Sequence, residues 1–330
     1  MKNILNSFSE PQRLRMYHHA KTGNRVLFSV LRFVILLSIG YIVIYPLFYM
    51  IVTSLASGDA YRNSVRVWIP TEFSIKQNYI DAWNAFEYPK TVWNTFKTEI
   101  ISAVIEICSC AIVGYGLARF DFKLKKLYTV ILFLTILVPE MMILIPKVVN
   151  YSQIDFLGIL GLINRITGID LRPNLLNTVW AFWLPSFFGV GLRSGILIYI
   201  YIQFFRGLPR ELEEAAWVDG AGPIRTFLNI AIPSSGVVIL TVAVFSLIWH
   251  WNDSFLSSMY YTGDYPIAVR LDNFPVEIHQ RLGIEFNVGN PRSASIAMAG
   301  CILYIAPMLI FYMIVQRWFI ESIDRVGITG

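Results

Sequence analysis

Charge is scarce in this 330-residue sequence: only 15% of its residues are Asp, Glu, Lys or Arg, against roughly 25% in a soluble domain. With 55% apolar residues and a mean hydropathy of +0.55, the chain cannot cover a water-exposed surface. That excludes a soluble enzyme and a nucleic-acid binder. Cysteine is nearly absent. Cys108, Cys110 and Cys301 all fall inside apolar runs, so they read as small buried apolar groups and not as a disulfide framework. There are four histidines, two of them adjacent (His18, His19), and no metal site can be built from them; His250 reads as a packed side chain. No Gly-Lys dipeptide occurs anywhere, which removes the G-x-x-x-x-G-K-[ST] phosphate loop and with it any ATPase of that kind.

What the sequence has instead is long apolar runs. A helix needs roughly 20 residues to cross about 30 Å of hydrocarbon. Runs 33–55, 234–252 and 293–316 carry no charge, while 100–118, 127–146 and 178–202 carry one each (Glu106, Glu140, Arg193). Their length without strand-like alternation favours helices over a barrel. The expected fold is an all-α membrane protein with six transmembrane helices. Lysine and arginine concentrate in 1–32, 119–126, 203–233 and 317–330, 15 residues against 10 in the longer intervening segments, which places both termini in the cytoplasm. The formal charge of +5 is therefore an orientation signal and not a polyanion-binding surface. The first run is too long for a cleavable signal and lacks a small-residue cleavage site, so it reads as a retained anchor. The basic tail, with Arg13, Arg15, Lys21 and Arg25, sits against anionic lipid.

The chain divides into the cytoplasmic tail 1–32, a first helix with a large extracytoplasmic loop (33–94), a core (95–320) and a short cytoplasmic tail (321–330). The first loop is dense in aromatics, among them Trp68, Tyr79, Trp83, Phe86, Tyr88 and Trp93. Aromatics at this density suit a folded cap or an interfacial belt rather than a disordered tether, and a docking surface fits them as well. Segment 150–177 contains the amphipathic FLGILGLINRITG, suited to lying along the outer interface.

The inside loop 207–233 is the most informative stretch. Pro209 opens a short helix whose Glu211, Glu213 and Glu214 suit its positive N-terminal end. Gly220 stops it, Gly222-Pro223 begins a second helix running to about Ile230, and Pro233 ends that one before the fifth run. Leu212, Ala215, Ala216 and Asp219 share one face by three- and four-residue spacing, a small protrusion shaped to seat in a groove.

Glu214-Ala-Ala, then Gly220, then Ile230-Ala-Ile-Pro233 resembles the EAA loop of ATP-binding-cassette importer permeases. Ile232 stands where that family usually has leucine. Gly114-Tyr-Gly-Leu-Ala-Arg119-Phe-Asp-Phe122, Ile145-Pro146 with Leu157–Asn164, Trp251-Asn252-Asp253-Ser-Phe255, and Gln316-Arg317-Trp318-Phe319 closing at Gly327–Gly330 extend the likeness over about 95–330. They resemble the second permease of maltose-type carbohydrate importers. Thr329 departs from the lysine usual near the family's C-terminus, so no tail contact through that lysine is expected. The resemblance implies a permease subunit in the cell membrane, working with a second homologous permease, two cytoplasmic ATPase subunits and an extracytoplasmic sugar-binding protein. ATP and magnesium would be bound by the ATPases, and this chain would hold no cofactor and catalyse nothing itself. Glu213, Glu214, Ala215, Ala216, Asp219, Gly220, Ile230 and Pro233 would couple to the ATPase.

Two further sets of residues keep two readings each. Trp249, Trp251, Asn252 and Asp253 combine aromatic faces with amide and carboxylate groups, as a sugar path requires; alternatively Trp251 anchors its helix and Asp253 caps a turn. Intramembrane Glu106 and Glu140 are costly unless they face protein or water. They suit either hydrogen-bonded structural roles, with Arg193 as an available ion-pair partner, or a proton or ion relay in a secondary transporter.

Overall fold

The computed structural model describes residues 10–58, 70, 72–155, 158–287 and 290–327. Trp68 of the first loop, Leu157 and the tail residues Ile328, Thr329 and Gly330 lie outside the described residues. Among the described residues the chain is helical, with one isolated antiparallel bridge between Ala56 and Phe73.

Helix α1 (Glu10–Leu55) carries the basic segment and the first apolar run without a break. Its residues Leu36, Ile42 and Val43 stay more than 60% exposed, as side chains facing lipid do. After it come α2 (Ile75–Phe86) and α3 (Tyr88–Thr95), which meet at Glu87, a left-handed corner with φ 49°. α3 passes through a π-helical turn (Phe96–Ile100) into α4 (Ile101–Arg119). α5 (Lys125–Leu137) and α6 (Glu140–Ser152) form one apolar stretch bent by 103°. The break falls where Pro139, lacking an N–H, cannot continue the helix. The amphipathic stretch forms α7 (Ile159–Thr167), between Gly158 and Gly168, both left-handed. Its first amides are held by Asp155, which accepts from Leu160 N and Gly161 N at 2.9 Å each.

The run 178–202 is not a single helix. α8 (Trp180–Phe187) stops at Gly189 (φ 68°), where Gly189 N donates to Ser186 O and Val190 N to Pro185 O. That is the paired closure a left-handed glycine permits. The chain restarts after Arg193 (φ 57°) as α9 (Ser194–Gly207). Among the described residues three stretches, Arg25–Leu55, Tyr88–Arg119 and Pro291–Trp318, are long and apolar enough to cross a membrane, and two bent pairs raise the number to five. The sequence leads to an expectation of six transmembrane helices; the described helices give three to five, because glycine and proline punctuation breaks the apolar runs.

The remaining helices are α10 (Glu211–Val218), α11 (Pro223–Thr226), a second π turn (Phe227–Ala231), α12 (Ile232–Ser234), α13 (Gly236–Trp251), α14 (Phe255–Tyr260), α15 (Ile267–Asp272), α16 (Phe274–Leu282) and α17 (Pro291–Gly327). The chain from Pro223 to Trp251 bends by 80° after Ser234, one residue beyond Pro233.

Helices in lipid gain nothing from hydrophobicity against one another, so close contact and buried polar bonds must hold them. α4 and α9 meet at Gly114, where an added Cβ would lie 2.5 Å from Tyr201 Cβ and 3.3 Å from Ile198 O. Tyr201, Phe205, Leu197 and Cys110 are fully buried at this seam. Gly114→Val therefore overpacks it by about 1–3 kcal/mol; the expected result is a lower thermal midpoint of the purified protein in detergent. A second core joins the first loop to α16: Phe86 stacks on Phe274, ring centroids 4.1 Å apart. Arg270 links Glu87 and Glu277, and Arg281 repeats both contacts. The aromatic first loop is thus, in its described part, a folded cap.

Candidate functional site

One end of the bundle gathers the end of α4 and the loop 207–233. Helix α10 begins with Glu211, Glu213 and Glu214 in its first turn, where the helix dipole favours negative charge. It ends at Gly220, φ 79°, with Gly220 N donating to Trp217 O at 3.0 Å and Ala221 N to Ala216 O at 2.9 Å. That double closure is the Schellman cap, and it needs a left-handed residue. Glu213 turns inward. It is 3% exposed and lies 3.1 Å from Arg119 Nε, itself 6% exposed. This contact is a charge pair without hydrogen-bond alignment. Arg119 also donates through Nη2 to Leu208 O, so the start of the loop is pinned to the end of α4.

The sequence-derived coupling residues separate accordingly. Glu213 is buried, Ala216 and Ile230 are half-buried, and Glu214, Ala215, Asp219, Gly220 and Pro233 are exposed. Around the exposed set stand uncovered apolar side chains, Leu212, Trp217, Val218 (88% exposed), Ile224 (76%) and Leu228. An uncovered apolar patch of this kind is the sort of surface that protein contacts bury. Arg119 belongs to the site although loop reasoning did not reach it; its signal is a basic residue at the last turn of an apolar run.

A second constellation lies in the core. His250, on α13, places Nδ1 3.0 Å from Glu99 Oε2 and Nε2 3.1 Å from Glu106 Oε2. All three side chains are 0–1% exposed. Ser246 Oγ donates to Glu106 Oε2 at 3.1 Å, Ser194 Oγ donates to Glu106 Oε1, and Ser257 Oγ donates to Glu99 Oε1 at 2.8 Å. Both ring nitrogens face carboxylate oxygens, so an imidazolium donates to both, whereas a neutral ring requires one carboxyl to hold a proton. Glu99 sits in the π turn, a geometry often found at functional positions. Chemically, the arrangement is a closed polar lock between α4, α9, α13 and α14. Glu140 takes no part; it begins α6 at the 103° bend. Arg193 pairs with neither glutamate and instead stands over the Trp249 ring at 5.1 Å. Glu99, one residue before its apolar run, and His250 were both missed as partners by the sequence reading.

The residues from Trp249 to Asp253 diverge in space. Trp249 is half-buried and stacks on Phe245. Trp251 is buried against Tyr304. Exposed Asn252 accepts from Tyr304 Oη at 2.7 Å. Asp253 is buried and accepts from Leu256 N and Ser257 N at 3.2 Å, capping α14. Among the described residues no group of His, Cys, Asp and Glu is arranged to hold a metal ion.

The pattern of the family described as "Binding-protein-dependent transport system inner membrane component" matches residues 111–325, the stretch that includes Arg119, the loop 207–233 and His250. The chain belongs to this family. It is 24% identical over 295 residues to the arabinooligosaccharides transport system permease protein AraQ of Halalkalibacterium halodurans, covering 88% of this chain and 93% of that one. It is 24% identical over 300 residues to the diacetylchitobiose uptake system permease protein NgcG of Streptomyces coelicolor, covering 90% and 88%. In fold it is similar to a bacterial ABC transporter involved in importing the acidic polysaccharide alginate, with a TM-score of 0.63 and 20% identity over 90% of this chain and 98% of that one. Family members are transporter permeases, not enzymes, and membership sets aside the ion-coupled secondary transporter.

Proposed function

We propose that this chain is one of two permease subunits of an ATP-driven importer that carries a carbohydrate, an oligosaccharide, across the cell membrane. The observation that carries the reading is α10: a short capped helix, pinned by the buried Arg119–Glu213 pair, presenting exposed Leu212, Trp217 and Val218 beside Glu214 and Gly220. Such a rigid knob transmits the motion of a partner that grips it. In this reading the loop faces the cytoplasm, both termini lie on the same side, and the bent and broken runs each count as one of six crossings. Two ATPase subunits supply nucleotide and magnesium chemistry, a second permease completes the path, and an extracytoplasmic binding protein delivers the sugar. Of the four candidate path residues Trp249, Trp251, Asn252 and Asp253, Trp249 and Asn252 are the ones left accessible to cargo.

Reconstitution tests it. Saccharide uptake into proteoliposomes should require ATP and the ATPase partners, and uptake by this chain alone without ATP would overturn the proposal. Glu214 is exposed on the knob, so Glu214→Lys should lower ATPase co-purification at least tenfold, about 1.4 kcal/mol of binding, and uptake with it. Membrane insertion and thermal midpoint should stay unchanged. Normal uptake in that variant would remove Glu214 from the contact.

A further inference from the structure

At the break between α8 and α9 the chain exposes a cation that neither the knob nor the histidine centre uses. Arg193 is the one charged residue of the run 178–202. It holds a left-handed backbone, φ 57°, where a residue other than glycine is strained, and such strain collects at functional positions. The Glu106 carboxylate is close behind: a Cβ added to Gly191 would lie 2.7 Å from its Oε1. Arg193 does not turn to it, because Ser194, Ser246 and His250 already occupy that carboxylate. The guanidinium stands over the Trp249 ring at 5.1 Å, and that ring stacks on Phe245 with centroids 5.5 Å apart. Among the described residues Arg193 has no ion pair and its side chain makes no hydrogen bond. It is exposed, and so are Phe187, Phe188 and Val190 at the same break.

Depth makes this placement informative. From Arg193 the 14 residues of α9 run to Gly207, about 20 Å at 1.5 Å per residue, and the 8 residues of α8 lie on the other side of the break. With the loop 207–233 at the cytoplasmic face, that depth falls within the roughly 30 Å of hydrocarbon. A charged side chain at such depth is costly against acyl chains and faces protein or a water-filled cavity instead. No carboxylate of the described chain covers this one, so its surroundings are the aqueous path. The guanidinium presents N–H donors in a planar fork that matches a carboxylate or a phosphate, and the contact with Trp249 gives them no acceptor oxygen. The Phe245 ring, exposed on the same face of α13, adds an apolar surface for the C–H face of a sugar. A neutral saccharide would need the rings alone. An uncompensated cation among them suits a saccharide that brings a negative charge.

We propose that Arg193, seated on Trp249, is the residue of the path that selects an acidic saccharide, one bearing a carboxylate or a phosphate group. The proposal rests on the importer reading and gives its cargo a charge. Its test uses the complete importer in nanodiscs, without the binding protein. Calorimetry measures the binding of digalacturonate and of glucose 6-phosphate against their uncharged counterparts, galactobiose and glucose. At least one acid should bind at least about tenfold more tightly than its counterpart, the scale of a hydrogen bond to a charged group, and which one does so tells carboxylate from phosphate. Arg193→Gln should bring that ratio to within about threefold, whereas Arg193→Lys, which keeps the charge without the fork, should retain more than threefold. Both variants should keep the parent's thermal midpoint, since the side chain is exposed and unpaired. No preference for either acid in the parent, or a preference that survives Arg193→Gln, overturns the proposal. A parent without preference whose Arg193→Gln variant loses the second permease on purification overturns it too, and assigns the cation to an acidic residue of that subunit. ATP-driven uptake, measured on the same preparation with binding protein added, reports on the importer reading separately. Uptake without any acid preference removes the site alone; a preference lost in Arg193→Gln, without ATP-dependent uptake, removes the importer reading alone.

Discussion

Gly220→Val should reduce ATP-driven uptake at least about tenfold, whereas Gly220→Asn should hold it within about threefold of the parent. The reason is conformational. Gly220 has φ 79° and closes α10 through two hydrogen bonds to Trp217 O and Ala216 O. A Cβ added there meets nothing within 4 Å, so sterics with the rest of the chain do not forbid a side chain. The left-handed backbone does: it costs an L-residue roughly 1–2 kcal/mol, more when β-branched, while asparagine enters it with less strain. That cost, about a factor of 5–30 in population, falls on the cap that sets the direction in which Trp217 and Val218 project. The two variants are to be compared by uptake into proteoliposomes and by recovery of the ATPase on purification. Equal loss in both would mean that the partner's groove excludes any side chain at this position. Normal uptake in Gly220→Val would show that the knob needs no fixed end.

The shape of the loop 207–233 was legible in the sequence because everything that sets it is local. Three first-turn glutamates, a stop glycine, Pro223 and Pro233 lie within the 27 positions of 207–233, and turn chemistry acts over such distances. The apolar runs were legible for the same reason, since hydropathy is a sum over neighbours. That same averaging hid Gly189 and Arg193, whose left-handed backbones split the run 178–202 into α8 and α9. Averaging also could not show that Glu213 faces inward to Arg119, 94 positions away. The histidine centre was out of reach on stronger grounds. Glu99 and Glu106 are separated from His250 by 151 and 144 positions, and one-dimensional patterning carries no register between distant helices. The retrospective signal is spacing alone: Glu99 and Glu106 are seven residues apart and Ser246 and His250 four, each pair on one helical face.

Glu106→Ala should be the most destabilising single change in the core. It removes the acceptor of Ser194 Oγ and Ser246 Oγ and the partner of His250 Nε2, leaving three buried polar groups on two helices, α9 and α13, without those bonds. Breaking a buried pair in this way costs about 3–5 kcal/mol. At roughly 2–4 °C per kcal/mol for chains of this size, the thermal midpoint should fall by about 10 °C. Glu106→Gln keeps the shape and one acceptor oxygen but presents an N–H to one of its donors, so its loss should be about 1–3 kcal/mol. The same two variants separate a lock from a relay. A group that must gain and lose a proton during transport fails as glutamine however well the protein folds, so a relay predicts that Glu106→Gln abolishes uptake at a near-normal midpoint. The geometry predicts the opposite ordering. Every polar contact of Glu106 is made to side chains that are themselves buried; the carboxylate it reaches through His250, Glu99, is buried as well, and Glu140 at the bend of α5 and α6 lies outside the network. Uptake per folded molecule should therefore stay within about threefold of the parent in Glu106→Gln, while stability falls in the order parent, Gln, Ala. Differential scanning fluorimetry of the detergent-purified complex, with uptake normalised to folded protein, decides between the two.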